Sequence, residues 1–126
     1  MQRFAVIALV LSAFVFTART SQAQILTQSG PCPGIMTFEV TGALPEARLA
    51  FIHSPAIGSW VIPPGMACTG LATGLAWPVV LGAWVEADAT GYASVNASIP
   101  PAACSNRYLQ VIDALGCTGS NVILIG

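Results

Sequence analysis

Lysine is absent from this chain, and charge of either sign is scarce: four arginines, five carboxylates and a single histidine stand among 126 residues. A formal charge of −1 excludes both a strongly basic nucleic-acid binder and an acidic tail. Arg48 and Arg107, the two arginines beyond the first segment, cannot make the basic patch that nucleic acid requires. Neither G-x-G-x-x-G nor G-x-x-x-x-G-K-[ST] occurs, so a nucleotide cofactor is not indicated and no cofactor is expected. Repeats of solenoid or propeller length are missing too. The length fits one small domain and excludes separate cofactor and substrate lobes. An apolar fraction of 55% excludes a wholly disordered chain.

The first segment has the layout of a cleaved export signal. Met1-Gln2-Arg3 gives a short positive start, Phe4–Phe16 is an uncharged apolar run, and Thr17–Ala23 is polar and ends in Ser21-Gln22-Ala23, with small residues at positions −3 and −1. The apolar run is short of the about 20 residues that a spanning helix needs, which disfavours an uncleaved anchor and leaves no stable membrane span after cleavage. No cysteine lies near the cleavage point, so a lipid anchor is not expected. Residues 1–23 are read as signal peptide, 24–33 as a loosely held leader tied by Cys32, and 34–126 as the folded domain. The predicted location is therefore secreted, periplasmic or on the cell surface. After cleavage the cations are Arg48 and Arg107 against Glu39, Glu46, Glu86, Asp88 and Asp113. So sparse a surface repels its neighbours weakly and favours self-association.

Four cysteines remain, Cys32, Cys68, Cys104 and Cys117. In an exported chain of this size an even number reads as disulfides. A zinc site is the rival, but it lacks any C-x-x-C spacing and has only His53 to add. Three pairings are open and sequence does not separate them; Cys68 with Cys104 and Cys32 with Cys117 is the expected one. Each closed loop adds about 3–5 kcal/mol in the chain-entropy model.

The hydrophobic period is two, not 3.6. Met36–Thr41 and Tyr92–Ile99 alternate apolar and polar; Val79, Leu81, Ala83, Val85 and Ala87 share one parity against Trp84, Glu86 and Asp88. Leu49–His53, Arg107–Asp113 and Asn121–Ile125 are further short runs rich in strand formers, with weaker candidates near Ser59–Ile62 and Cys68–Ala72. Gly70–Trp77 holds at most one helical turn. Gly42–Ala47, Pro63-Pro64-Gly65, Pro100-Pro101 and Cys117–Asn121 break the chain between runs. Asp88-Ala-Thr-Gly91 lies between two alternating runs, which predicts a hairpin over Val79–Ile99. About seven strands at even spacing point to an all-β fold, a small antiparallel immunoglobulin-like β-sandwich stabilised by disulfides.

Candidate chemistry is thin. His53 stands outside any G-x-S-x-G context and reads better as a strand-end histidine than as part of a serine hydrolase. Glu86 and Asp88 would give calcium only two of the six to eight oxygens it takes, so a solvated hairpin edge is the simpler reading. Nothing fixes the separation a glycosidase pair needs among Glu39, Glu46, Glu86 and Asp88. No catalytic or metal-ligating residue is assigned. Asn96-Ala-Ser98 matches the glycosylation acceptor pattern. Trp84 and Tyr92 flank one turn, and Trp60 and Trp77 sit beside loops with proline. Exposed rings of this kind stack on sugars or anchor a protein partner. The alternative is that they close the open ends of the sandwich.

From Cys32 onward the chain resembles a group of small secreted domains of myxobacteria and planctomycetes. The likeness is carried by Cys32–Phe38 (CPGIMTF), Thr41–Pro45 (TGALP), Asp88–Ser94 (DATGYAS), Ile99–Cys104 (IPPAAC), Tyr108–Asp113 (YLQVID) and Cys117–Val122 (CTGSNV). The resemblance implies an extracellular, disulfide-bearing β-sandwich with no assigned reaction. It also implies a bacterial source, which disfavours glycosylation at Asn96. The expectation is a secreted non-enzymatic module with a protein or glycan partner at the cell surface. The alternatives are a carbohydrate-binding module using Trp60, Trp77, Trp84 or Tyr92, and a small hydrolase around His53.

Overall fold

The computed structural model describes residues 24–126. The expected signal peptide, residues 1–23, lies outside them. The described chain is all-β: β1 (Ile25–Ser29), β2 (Gly34–Thr41), β3 (Arg48–Ser54), β4 (Val80–Glu86), β5 (Ala93–Ile99), β6 (Tyr108–Asp113), β7 (Thr118–Gly119) and β8 (Ile123–Leu124). One short 3-10 turn, Pro101–Ala103, follows the double proline. Two antiparallel sheets face each other. The first has the order β1-β2-β5; the second has β4-β3-β6-β7, with β8 also pairing with β6. In the constant-type immunoglobulin arrangement the fourth strand joins the first sheet. Here β4 stays beside β3.

Alternation makes the core. Leu26, Met36, Phe38 and Val40 from the first sheet meet Leu49, Phe51, Leu109 and Val111 from the second, all at most 5% exposed. Each such side chain contributes about 1.5–3 kcal/mol by leaving water. β3 and β6 are buried on both faces, which is why they read as short apolar runs rather than alternating ones. Their outer face is covered by residues 55–79. That excursion is no strand pair. It holds itself together through the isolated bridges Ile57–Leu75 and Val61–Ala72. Backbone bonds from Trp60 to Leu75 (2.8 Å) and from Ile62 to Leu71 (2.9 Å) reinforce them. Ala50, Ile52, Ile62, Leu75 and Ile112 form a second apolar cluster beneath it.

Four expectations are corrected. The leader is part of the sandwich: Ile25–Ser29 pairs along its length with Thr37–Thr41. Leu26 is 1% exposed, and Asn121 holds its backbone with both side-chain amide atoms (2.8 and 3.1 Å). The hairpin over Val79–Ile99 does not form. β4 pairs with β3 and β5 with β2, so Asp88–Gly91 carries the chain from one sheet to the other. A turn signal marks reversal; it does not say whether the two arms pair. The single parity assigned to Val79 through Ala87 breaks at a bulge opposite Phe51 and Ile52, where Ala83 pairs with Phe51 and Leu81 with Ile52. The extra residue, Gly82, turns Val79 and Leu81 to the outer face while Ala83 and Val85 stay inside. The disulfides are Cys32–Cys104 and Cys68–Cys117. Sequence alternation cannot place Cys68, which rides on the covering excursion and meets the β6–β7 loop rather than the 3-10 turn. Two disulfides fit an oxidising compartment outside the cytosol. No helix among the described residues is long and apolar enough to cross a membrane.

Candidate functional site

The covering excursion leaves a groove where it meets the outer face of the second sheet. Ala50, Ile52 and Ile112 of the sheet, Trp60, Ile62, Met66 and Trp77 of the excursion, and Leu81 and Trp84 beside them line it. The cavity holds about 410 Å³, within the usual range for ligand pockets. Local sequence explains each wall. Pro63-Pro64-Gly65 swings Met66 back over the sheet, the bulge at Gly82 turns Leu81 outward, and alternation along β4 puts Trp84 on the same face. Ala50 and Ala114 are small and leave the groove room. Cys68–Cys117 staples the excursion to the β6–β7 loop. Gln110 holds it from below, accepting from the Gly74 N–H (2.9 Å) while its own amide donates to the Ser120 carbonyl (2.9 Å).

Three of the four aromatic candidates converge here. The rings of Trp60 and Trp77 stand 5.5 Å apart and tilted by 34°, forming a wedge. Trp77 is 67% exposed and Trp84 42%. The Arg48 guanidinium lies over Trp84, 4.3 Å from the ring centroid. Its cross-strand neighbour at the rim is Glu86. The lining side chains include no charged, hydroxyl or amide group; the indole N–H groups are their hydrogen-bond donors. Trp60, Trp77 and Trp84 thus line a face of the sheet rather than cap the sandwich ends.

Tyr92 is elsewhere. It follows the inter-sheet turn, and its hydroxyl donates to Glu39 Oε2 across the first sheet (3.0 Å). That bond to a carboxylate pushes the phenol above its ordinary pKa. Asp88 is a turn former: one carboxylate oxygen accepts from the Thr90 hydroxyl (2.6 Å), the Thr90 N–H (2.8 Å) and the Tyr92 N–H (3.0 Å). These bonds, the Thr90 hydroxyl foremost, hold it below the usual carboxylate range. It is therefore occupied, and Glu86 lies on the other sheet, paired with Arg48. Asn96 accepts from the Thr37 hydroxyl (2.8 Å). No group of three or more His, Cys, Asp or Glu side chains is arranged to hold a metal ion among the described residues.

His53 lies away from the groove. Its Nδ1 accepts from Arg107 Nε (2.8 Å), and burial, then the Arg107 charge, hold its pKa below the ordinary imidazole value. The ring is neutral at physiological pH with its proton on Nε2, so its one basic lone pair is already used.

Sequence reasoning found the tryptophans but not their aliphatic neighbours Ile62, Met66 and Leu81. The Pro63-Pro64-Gly65 break and Gly82 inside a strand run were the available signals. Comparison of the chain with protein-family models, with curated proteins and with solved structures gives no match.

Proposed function

We propose that this protein is an exported, non-enzymatic β-sandwich that works as an interaction module at the cell surface or in the extracellular matrix, and that the tryptophan groove is its working face. One observation carries the reading: Trp60, Trp77 and Trp84, spread over 25 positions of sequence, meet on a single open apolar cavity of about 410 Å³. Large apolar rings left in water cost solubility unless something covers them, and tryptophan is the residue most enriched where partners bind tightly. Met66 supplies an adaptable wall. The fitting partner is a protein that offers an apolar side chain or short apolar segment. Sparse surface charge makes a second copy of this chain one such partner. The export half of the proposal rests on Met1–Ala23, and the mature chain then begins at Gln24, which intact mass of the secreted product checks.

The exposed indoles favour a second reading, sugar stacking. It is weaker because a sugar buried in this groove would leave most of its hydroxyls without partners, at about 1–3 kcal/mol for each unpaired group. The deciding experiment applies fluorescently labelled protein to washed cells of its own source. Trp77→Ser and Trp84→Ser together are expected to weaken retention at least tenfold while near-ultraviolet circular dichroism stays native. Undiminished retention sinks the groove as the working face. A glycan-array signal that vanishes with Trp84→Ala gives the groove to the sugar reading.

A further inference from the structure

The two sheets do not close along the side where β4 faces β5. Each is an edge strand there, β4 bonded to β3 and β5 to β2. Val95, Ala97 and Ile99 point inward from β5 yet stay half-buried, whereas Met36, Phe38 and Val40 on the neighbouring strand are fully buried. The cause is local. The residues facing them across the gap are Gly82 and Ala83, too small to fill it. What remains is a cavity of about 320 Å³ that runs into the core between Phe38, Phe51, Leu109 and Ile125.

Its lining carries one charged side chain, a cation. Arg107 and His53 line the cavity, and no carboxylate side chain does. Among the described residues the guanidinium makes one hydrogen bond, from Nε to His53 Nδ1, so the ring orients the arginine and leaves both terminal Nη groups to donate. The imidazole edge bearing Nε2 lies against Gly82, so the bulge leaves room for the ring at the opening. A guanidinium stays charged at any accessible pH and matches a carboxylate with two parallel bonds. An apolar cavity lined by an arginine that has no carboxylate partner among the described residues selects a molecule with an apolar tail and an anionic head.

We propose that the inter-sheet cavity is a binding site for an unbranched aliphatic carboxylate, its chain between the sheets and its carboxylate on Arg107. The site shares no residue with the tryptophan groove, so either proposal survives the failure of the other. Affinity rises along a series of straight-chain carboxylates, roughly fourfold for each methylene that enters the gap, and levels off once the cavity is full.

The test is calorimetric titration of the folded, disulfide-bonded protein with decanoate, decanol and acetate, each below its aggregation threshold, followed by carbon–proton correlation spectra of the methyl groups. Decanoate is expected to bind saturably and at least tenfold more tightly than decanol, with acetate silent. Methyl shifts should fall on Val95, Ala97 and Leu109. Arg107→Gln should cost decanoate at least tenfold and leave decanol unchanged, and Ala97→Leu, which fills the gap without touching the cation, should abolish both. Absence of saturable decanoate binding overturns the proposal. So does equal affinity for decanoate and decanol, or a shift pattern confined to Ile62, Leu81 and Ile112 of the other groove. If Arg107→Gln loses its native near-ultraviolet spectrum, the decanoate–decanol comparison in the unmodified protein decides.

Discussion

Gly91 shows how much one residue fixes. It sits at φ +82°, in the left-handed region, and a Cβ there would run into the Ala43 carbonyl. Its own carbonyl accepts from the Ala43 N–H (3.2 Å), so the inter-sheet turn and the β2–β3 loop are locked at this point. Gly91→Ala is expected to destabilise the fold by roughly 2–4 kcal/mol in urea unfolding, from backbone strain plus the clash. His53 makes a different prediction. The folded ring binds its proton less readily than the unfolded ring, whose pKa is about 6.5. As pH falls, the unfolded state takes up the proton first. Stability from this residue is therefore complete above about pH 6.5 and declines as pH drops from there toward the lower folded value. The melting temperature should fall between pH 7 and pH 5 in the natural protein and fall less in His53→Gln. Asp88, also lowered, acts in the same direction but only at more acid pH, below its ordinary value of 3.8. Sequence named both His53 and Asp88. It could not show the hydrogen bond that holds His53, because its partner, Arg107, comes from another strand end.

The excursion over residues 55–79 is the element on which the groove depends. It has few backbone bonds to the sheet it covers, and its anchors are Gln110 and the Cys68–Cys117 bridge. The other bridge, Cys32–Cys104, ties the β1–β2 turn to the 3-10 turn and does not line the tryptophan groove. Sequence separations of 49 and 72 give about 4 kcal/mol for each bridge in the chain-entropy model. The two should differ in where the loss appears. Replacing Cys68 and Cys117 together by serine is expected to shift tryptophan emission to the red, as Trp60 and Trp77 separate and hydrate. Replacing Cys32 and Cys104 should lower stability with little change in emission. Non-reducing peptide mapping that recovers Cys68 joined to Cys104 would contradict both statements.

At the scale of the whole molecule, both cavities follow from how the wider sheet is covered and closed. Its outer face is apolar at Ala50, Ile52 and Ile112 and takes a cover, and its edge strand β4 faces β5 across a gap. The first sheet has only three strands, and β1 is one of them. Deleting residues 24–29 removes an entire edge, exposes Phe38 and Val40, and breaks the Gln24–Thr118 bond (2.7 Å) between the sheets. The loss is expected to be at least about 3 kcal/mol, judged from the core leucine alone, and, with the edge strand gone as well, enough to leave the domain without a cooperative urea transition. A loosely held leader would have made that truncation harmless.

Fold class, strand content and the oxidising compartment were legible in the chain itself. A period of two, turn residues at regular intervals and an even set of cysteines act locally, and each carries its meaning without reference to distant residues. The neighbours of each strand were not legible. Whether Val80–Glu86 turns back onto Ala93–Ile99 or pairs with Arg48–Ser54 depends on which apolar faces find each other over long distances, and the alternation is the same in both cases. A single bulge at Gly82 reversed the facing of Val79 and Leu81, and the joining of Cys68 to Cys117 depended on where the excursion came to rest. Tertiary structure alone decided that three tryptophans share one groove, and that an arginine and a histidine line a second opening into the core, because the first site needs the excursion laid over its sheet and the second needs edge strands of two sheets brought face to face.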